Sequence, residues 1–141
     1  MSALYTPALV LIMLLATGCS KDVLRSYDRR IVGSWRIADI DRFGFGGGDN
    51  LPFSEGGVFQ FEDDGTVTYT YSGTTYRGSW DIRRLQNGDE TQRALQITVV
   101  DFNNQIILSD YFNEMLFTGA NRFQAYIYYG SRTHLYRFRR T

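Results

Sequence analysis

The chain has 141 residues, 15 basic and 15 acidic side chains, one histidine and one cysteine, and its formal charge is zero. That length suits one domain and argues against a two-domain enzyme. With 43% hydrophobic and 16% aromatic residues the chain is too apolar for a disordered tail, and the balanced charge argues against a nucleic-acid partner, which selects a clustered basic excess.

Residues 1–18 carry no charged side chain, and Leu9 to Ala16 is a continuous apolar run. The run is shorter than the roughly 20 apolar residues of a spanning helix and has the length of a secretory signal. Small residues follow, and then the lone cysteine. At Leu15-Ala16-Thr17-Gly18-Cys19 the chain resembles the lipobox of bacterial lipoproteins. That resemblance implies cleavage before Cys19, lipidation of Cys19 by a thioether-linked diacylglycerol, and an acyl chain on the freed amine. Two or more acyl chains, at about 0.8 kcal/mol per buried methylene, give a stable membrane anchor. Ser20-Lys21-Asp22 lacks the aspartate next to the cysteine that marks inner-membrane retention in that family, which points to the outer membrane of a bacterial envelope. The expected organisation is a signal peptide over 1–18, a lipidated tether with a short helix over 19–30, and one β domain over 31–141.

Asp22 to Arg30 has Val23, Leu24 and Tyr27 spaced for one helical face, although so short a helix needs packing to persist. Period-two alternation takes over after it. Trp35 and Ile37 share one face of a first strand, with Asp39 next in the same alternation, and Phe59 and Phe61 share a face of a second. Asp63-Asp64-Gly65 is a turn, and Thr66 to Tyr71 alternates Val and Tyr against Thr without a fault. Tyr76, Gly78, Trp80 and Ile82 fall on one face of the following strand. Asn87-Gly88 is the strongest hairpin signal in the chain, and Leu95, Ile97 and Val99 alternate beyond it. Further strands are expected near 105–111, 114–118, 122–129 and 133–139. Eight to ten strands joined mostly by short turns predict an all-β, antiparallel up-and-down β-barrel, closed to remove its edges.

Gly33-Ser34-Trp35 recurs as Gly78-Ser79-Trp80, and the second copy follows Asp64-Gly65-Thr66. In these residues the mature chain resembles lipocalins, whose G-x-W opens the first strand after a short helical turn, and more closely the lipocalin-like domains of small bacterial lipoproteins. The resemblance implies a lipocalin-like barrel with Gly33 and Trp35 as its structural motif. It also implies a basic residue near the end of the last strand, Arg137 or Arg139, packed over Trp35 as a cation–π pair.

The residues offer no catalytic constellation, so an enzyme is not expected, and no cofactor is implied. His134 is the sole histidine and provides no multi-His metal site, so a structural or surface place is expected for it. Asp39 with Asp41, and Asp63 with Asp64, lack the ligand count of a calcium site. Fourteen arginines stand against one lysine, which suits bracing of an outer face or contact with an anionic ligand or partner. The ring surplus is the main functional clue. Phe59, Tyr69, Tyr71, Tyr76, Trp80 and Tyr136 alternate toward the expected interior, as candidates to line a site for a small hydrophobic or amphipathic ligand. The segment from Phe43 to Pro52 reads as a surface loop, or as a cover in which Phe43, Phe45 or Phe53 meets the ligand. The alternative is a filled barrel, an accessory or inhibitor protein that works through protein or glycan contacts, with Tyr126 and Tyr128 pointing outward.

Overall fold

The computed structural model describes residues 26–45 and 51–141. Cys19 and residues 46–50 lie outside the described residues. The first element is a single helical turn, α1 (Tyr27–Arg30). Alone it would not hold. It is kept in place by the Tyr27 ring edge on Phe117 at 4.8 Å and by the Arg30 guanidinium over the same ring at 4.2 Å.

Nine antiparallel strands follow among the described residues: β1 (Gly33–Gly44), β2 (Val58–Phe61), β3 (Thr66–Tyr71), β4 (Thr74–Asn87), β5 (Glu90–Asp101), β6 (Ile106–Phe112), β7 (Glu114–Gly119), β8 (Arg122–Tyr129) and β9 (Arg132–Arg140). They form one sheet in the order β6-β5-β4-β3-β2-β1-β9-β8-β7. The all-β, antiparallel expectation therefore holds, with one departure from a simple meander. The sheet is not closed by pairing between its edge strands. Only Asn113 separates β6 from β7, and one residue cannot reverse a chain that needs at least two to make a hairpin. The chain instead runs on from one sheet edge to the other. Following paired residues sideways from Ser34 through Gln60, Thr68, Arg77 and Val100 leads to Ile107 on β6. Following them the other way from Arg36 through Arg139 and Arg122 leads to Gly119 on β7. The two arrivals lie a dozen residues apart on one continuous segment, so the strands are steeply staggered and the sheet is rolled. β5 consequently lies against β7, and β6 against β8.

A bulge between Ile37 and Asp39 interrupts the β1–β9 ladder. It corrects the alternation read from the sequence: Trp35 and Ile37 point inward, but the extra residue re-aims the strand. Beyond it Ile40 and Arg42 stand opposite the inward Tyr136 and His134, while Asp39 and Asp41 share the outer face with Arg137. At the β4–β5 hairpin Asn87 pairs with Glu90, so the central residues are Gly88 and Asp89, one position on from the expected Asn-Gly. Gly88, with φ near 65°, takes the first central position, as in a II′ turn.

The two copies of Gly-Ser-Trp do parallel work. The Trp35 indole N–H donates to the Ile31 carbonyl at 2.7 Å, and the Trp80 indole N–H to the Glu62 carbonyl at 2.9 Å. Trp35 thus ties the segment before β1 to that strand, and Trp80 ties the turn between β2 and β3 to β4. Gly33 adopts φ near 125°, and a side chain there would meet Arg140 Nη1 at 2.6 Å. At Gly78 a Cβ would strike the Thr98 carbonyl of the neighbouring strand.

The residue over Trp35 is Arg140, with its guanidinium carbon 4.3 Å from the ring centre. This corrects the expectation of Arg137 or Arg139. The register sets Trp35 against Arg140, whereas Arg137 lies on the outer face, held by Asp39 at 2.7 Å and by Asp41. Arg139 is exposed.

Candidate functional site

The inward faces of β2, β3 and β9 carry rings at alternate positions, β1 and β8 add Trp35 and Phe123, and rolling the sheet brings them together. Phe59, Tyr69 and Tyr136 are each no more than 1% exposed. Phe59 stacks on Tyr69 at 4.6 Å and leans on Phe138 at 5.9 Å. Tyr136 takes the edge of Phe112 at 5.0 Å. Phe123 stacks on Phe138 at 4.2 Å and meets Trp35 at 4.8 Å. Of the rings named as candidate ligand contacts, Phe59 and Tyr69 thus face each other and Tyr136 faces Phe112, each such pair contributing about 0.5–1.5 kcal/mol beyond its burial.

The other candidates lie toward the rim of this core. Tyr71 is exposed and stacks on Tyr69 at 6.4 Å, and half-buried Tyr76 tilts against Tyr69 at 5.7 Å. Half-buried Trp80 is perpendicular to Phe61 at 5.8 Å, and Phe61 in turn stacks on Phe59 at 5.6 Å. Phe59, Tyr69, Tyr71 and Tyr76 thus belong to one cluster, while Tyr136 belongs to a second one joined to it through Phe138. Phe53 is wholly buried between Phe59 and Tyr69, 5.0 Å from each. Its neighbour Ser54 donates its backbone N–H to the Tyr69 hydroxyl at 3.0 Å. Phe43 and Phe45 are exposed.

Two features of this end were not read from the sequence. The first is an open groove of about 970 Å³ beside the rim, lined by Ile40, Asp41, Arg42, Leu51, Phe53, Ser54, Glu55 and Tyr71. Half of it comes from the stretch after the glycine segment, where no periodicity gives warning. The second is a buried polar group inside the sheet. Asp110, on β6, is 8% exposed. Its Oδ1 accepts the Tyr111 N–H at 3.2 Å and the Tyr129 hydroxyl at 3.4 Å, and its Oδ2 has no hydrogen-bond partner among the described residues. Burial pushes the carboxyl up to about 6, against the smaller opposing pull of these two donors. The Tyr136 hydroxyl also lacks a partner among the described residues. Burial first, and then the Asp110 charge, hold it neutral far above the usual phenol range. His134 shares this inward face, 1% exposed, with the edge of its ring toward Tyr129 at 5.2 Å.

On the outer face Tyr126 and Tyr128 point away from the core and stack on each other at 6.2 Å. The Tyr128 hydroxyl donates to Glu114 at 2.8 Å, and the Tyr126 hydroxyl to Gln124 at 2.9 Å. Partial burial and the Glu114 carboxylate push Tyr128 up to about 12. The described residues hold no group of three or more acidic, histidine or cysteine side chains placed to bind a metal. No known protein family, curated protein or solved structure matches the chain.

Proposed function

We propose that this chain is a lipid-anchored protein of the bacterial envelope whose lipocalin-like barrel is a packed scaffold, acting as an accessory or inhibitor through its outer face and rim. The observation that carries the reading is the mutual packing of Phe59, Tyr69, Phe112, Phe123, Tyr136 and Phe138, which leaves these rings to one another. The lipocalin-like assignment draws support from the helical turn before Gly33 and Trp35, from an arginine of the last strand stacked on Trp35, and from the steep stagger of the strands. The anchor draws its support from the sequence alone, the apolar run Leu9 to Ala16 and the segment Leu15 to Cys19.

Two experiments test this. Titrating Ser20–Thr141 with a fluorescent fatty-acid analogue is expected to give no saturable site, and one-to-one saturation would overturn the packed-scaffold reading. Cys19→Ala is expected to move the protein from the membrane to the soluble fraction, and retention in the membrane would overturn the anchor. A second reading, in which a small amphipathic molecule binds at the rim, rests on the open groove beside Tyr71.

A further inference from the structure

Three arginines stand in a row on the outer face. Arg36 of β1 pairs with Arg139 of β9, and Arg139 pairs on its other side with Arg122 of β8. Strands lie about 4.8 Å apart, so three cationic side chains rise from a span of about 10 Å. Like charges directly opposite each other destabilise a sheet, so folding alone does not call for this arrangement. The remaining positions paired with the row are Val58 and Gly119, neither of them a carboxylate. The nearest acids on that face, Asp39 and Asp41, already hold Arg137. All three arginines of the row are exposed, and none forms an ion pair with another described residue. Beside them a hollow of about 210 Å³ lies between Arg122, Arg137 and Arg139, with Thr118 and Gln124 on its walls as neutral hydrogen-bonding groups.

We propose that this row is a binding site for the anionic, phosphate-bearing head group of a membrane lipid. Guanidinium forks match phosphate oxygens bidentately, and a bound anion relieves the repulsion that the row carries. The hollow has room for a phosphate group and its immediate substituents, and little more. The lipid source rests on the anchored reading. Arg36 is three residues past the start of β1, close to where the tether enters the fold, and the seven Cα-to-Cα steps from Cys19 to Ser26 span at most about 25 Å. That distance keeps the row within reach of the head-group layer.

The test is calorimetry on the full chain in neutral detergent, titrated separately with dihexanoyl phosphatidylglycerol, with dihexanoyl phosphatidylcholine and with inorganic phosphate. The glycerol lipid is expected to bind saturably and more weakly as salt rises, and the choline lipid and free phosphate at least about tenfold more weakly. Arg139→Gln is expected to lose about tenfold in affinity while melting no earlier than wild type, and Arg83→Gln, on the remote β4, to change nothing. Unchanged affinity in Arg139→Gln would overturn the site. Equal affinity for free phosphate would overturn the lipid assignment. The intact mass of the same preparation keeps the two readings apart: salt-sensitive binding by a chain not acylated at Cys19 supports the arginine site and removes the anchor. An acylated chain that binds none of the three probes removes the site alone.

Discussion

Removing the Arg140 guanidinium perturbs the contact that joins the last strand to the first. The group lies 4.3 Å over Trp35 and donates to the Val32 carbonyl at 3.0 Å and the Arg30 carbonyl at 2.9 Å. A cation–π contact at a half-buried site is worth about 1 kcal/mol. Hydrogen bonds from a charged donor contribute about 1.5 kcal/mol each at the low end of their range, which suits carbonyls near the surface that water can reach once the donor has gone. Arg140→Ala should therefore cost about 3 to 4 kcal/mol, and Arg140→Lys about half of that, because the ammonium keeps the charge and loses the fork. Arg139→Ala should change stability by less than about 0.5 kcal/mol, as expected for an exposed side chain that forms no ion pair with another described residue. Urea unfolding of Ser20–Thr141 at pH 7, followed by tryptophan fluorescence, measures all three. Equal losses for Arg139→Ala and Arg140→Ala would refute the register argument, and a loss below about 1 kcal/mol for Arg140→Ala would refute the energetic one.

Asp110 makes stability depend on pH in a defined direction. Its folded pKa of about 6 lies above the ordinary 3.8, so its contribution is fully present below pH 4 and is lost as pH rises through 6. At about 1.4 kcal/mol per unit, that loss is roughly 3 kcal/mol. Asp110→Asn should be more stable than wild type by up to that amount above pH 7 and similar to it near pH 4, as read from urea midpoints across the range. A pH-independent difference would contradict the assignment. Tyr136→Phe should be neutral or stabilising by about 1 kcal/mol, since the hydroxyl is buried without a partner among the described residues. A loss of similar size in the same unfolding assay would show that the hydroxyl is satisfied. Gly78→Ala should cost about 3 kcal/mol or more by driving β4 from β5, against about 1 kcal/mol for Gly88→Ala, where a Cβ meets no atom. Comparable losses would show that the β4–β5 spacing yields.

What was legible in the residues was the period of the strands and the chemistry of the turns. Thr66 to Tyr71 alternates as it reads because one face is buried and the other wet, and Asp64 closes its turn by accepting the Thr66 N–H at 2.9 Å. Which residues meet across strands was not legible. Ala38 carries no sign of a bulge, yet that one insertion places Asp39 and Asp41 against Arg137 instead of inside. Register also decides that Arg140 covers Trp35, and Arg137 and Arg139 differ from it only by position along the strand. Alternation assigned Tyr69 and Tyr136 to the inner face, but a pattern along one strand does not say what stands opposite, and other rings, Phe59 and Phe112, stand against them. The arginine row is invisible for the same reason, because Arg36, Arg122 and Arg139 adjoin only when three registers are known.

The central proposal is that the rolled sheet is a packed scaffold, and native mass spectrometry of Ser20–Thr141, purified from its own cells and compared with the denatured mass, tests it most directly. The account predicts the bare polypeptide mass in every preparation. A reproducible added mass that disappears in Tyr69→Ala would contradict it and would mean that the rings part to hold a ligand.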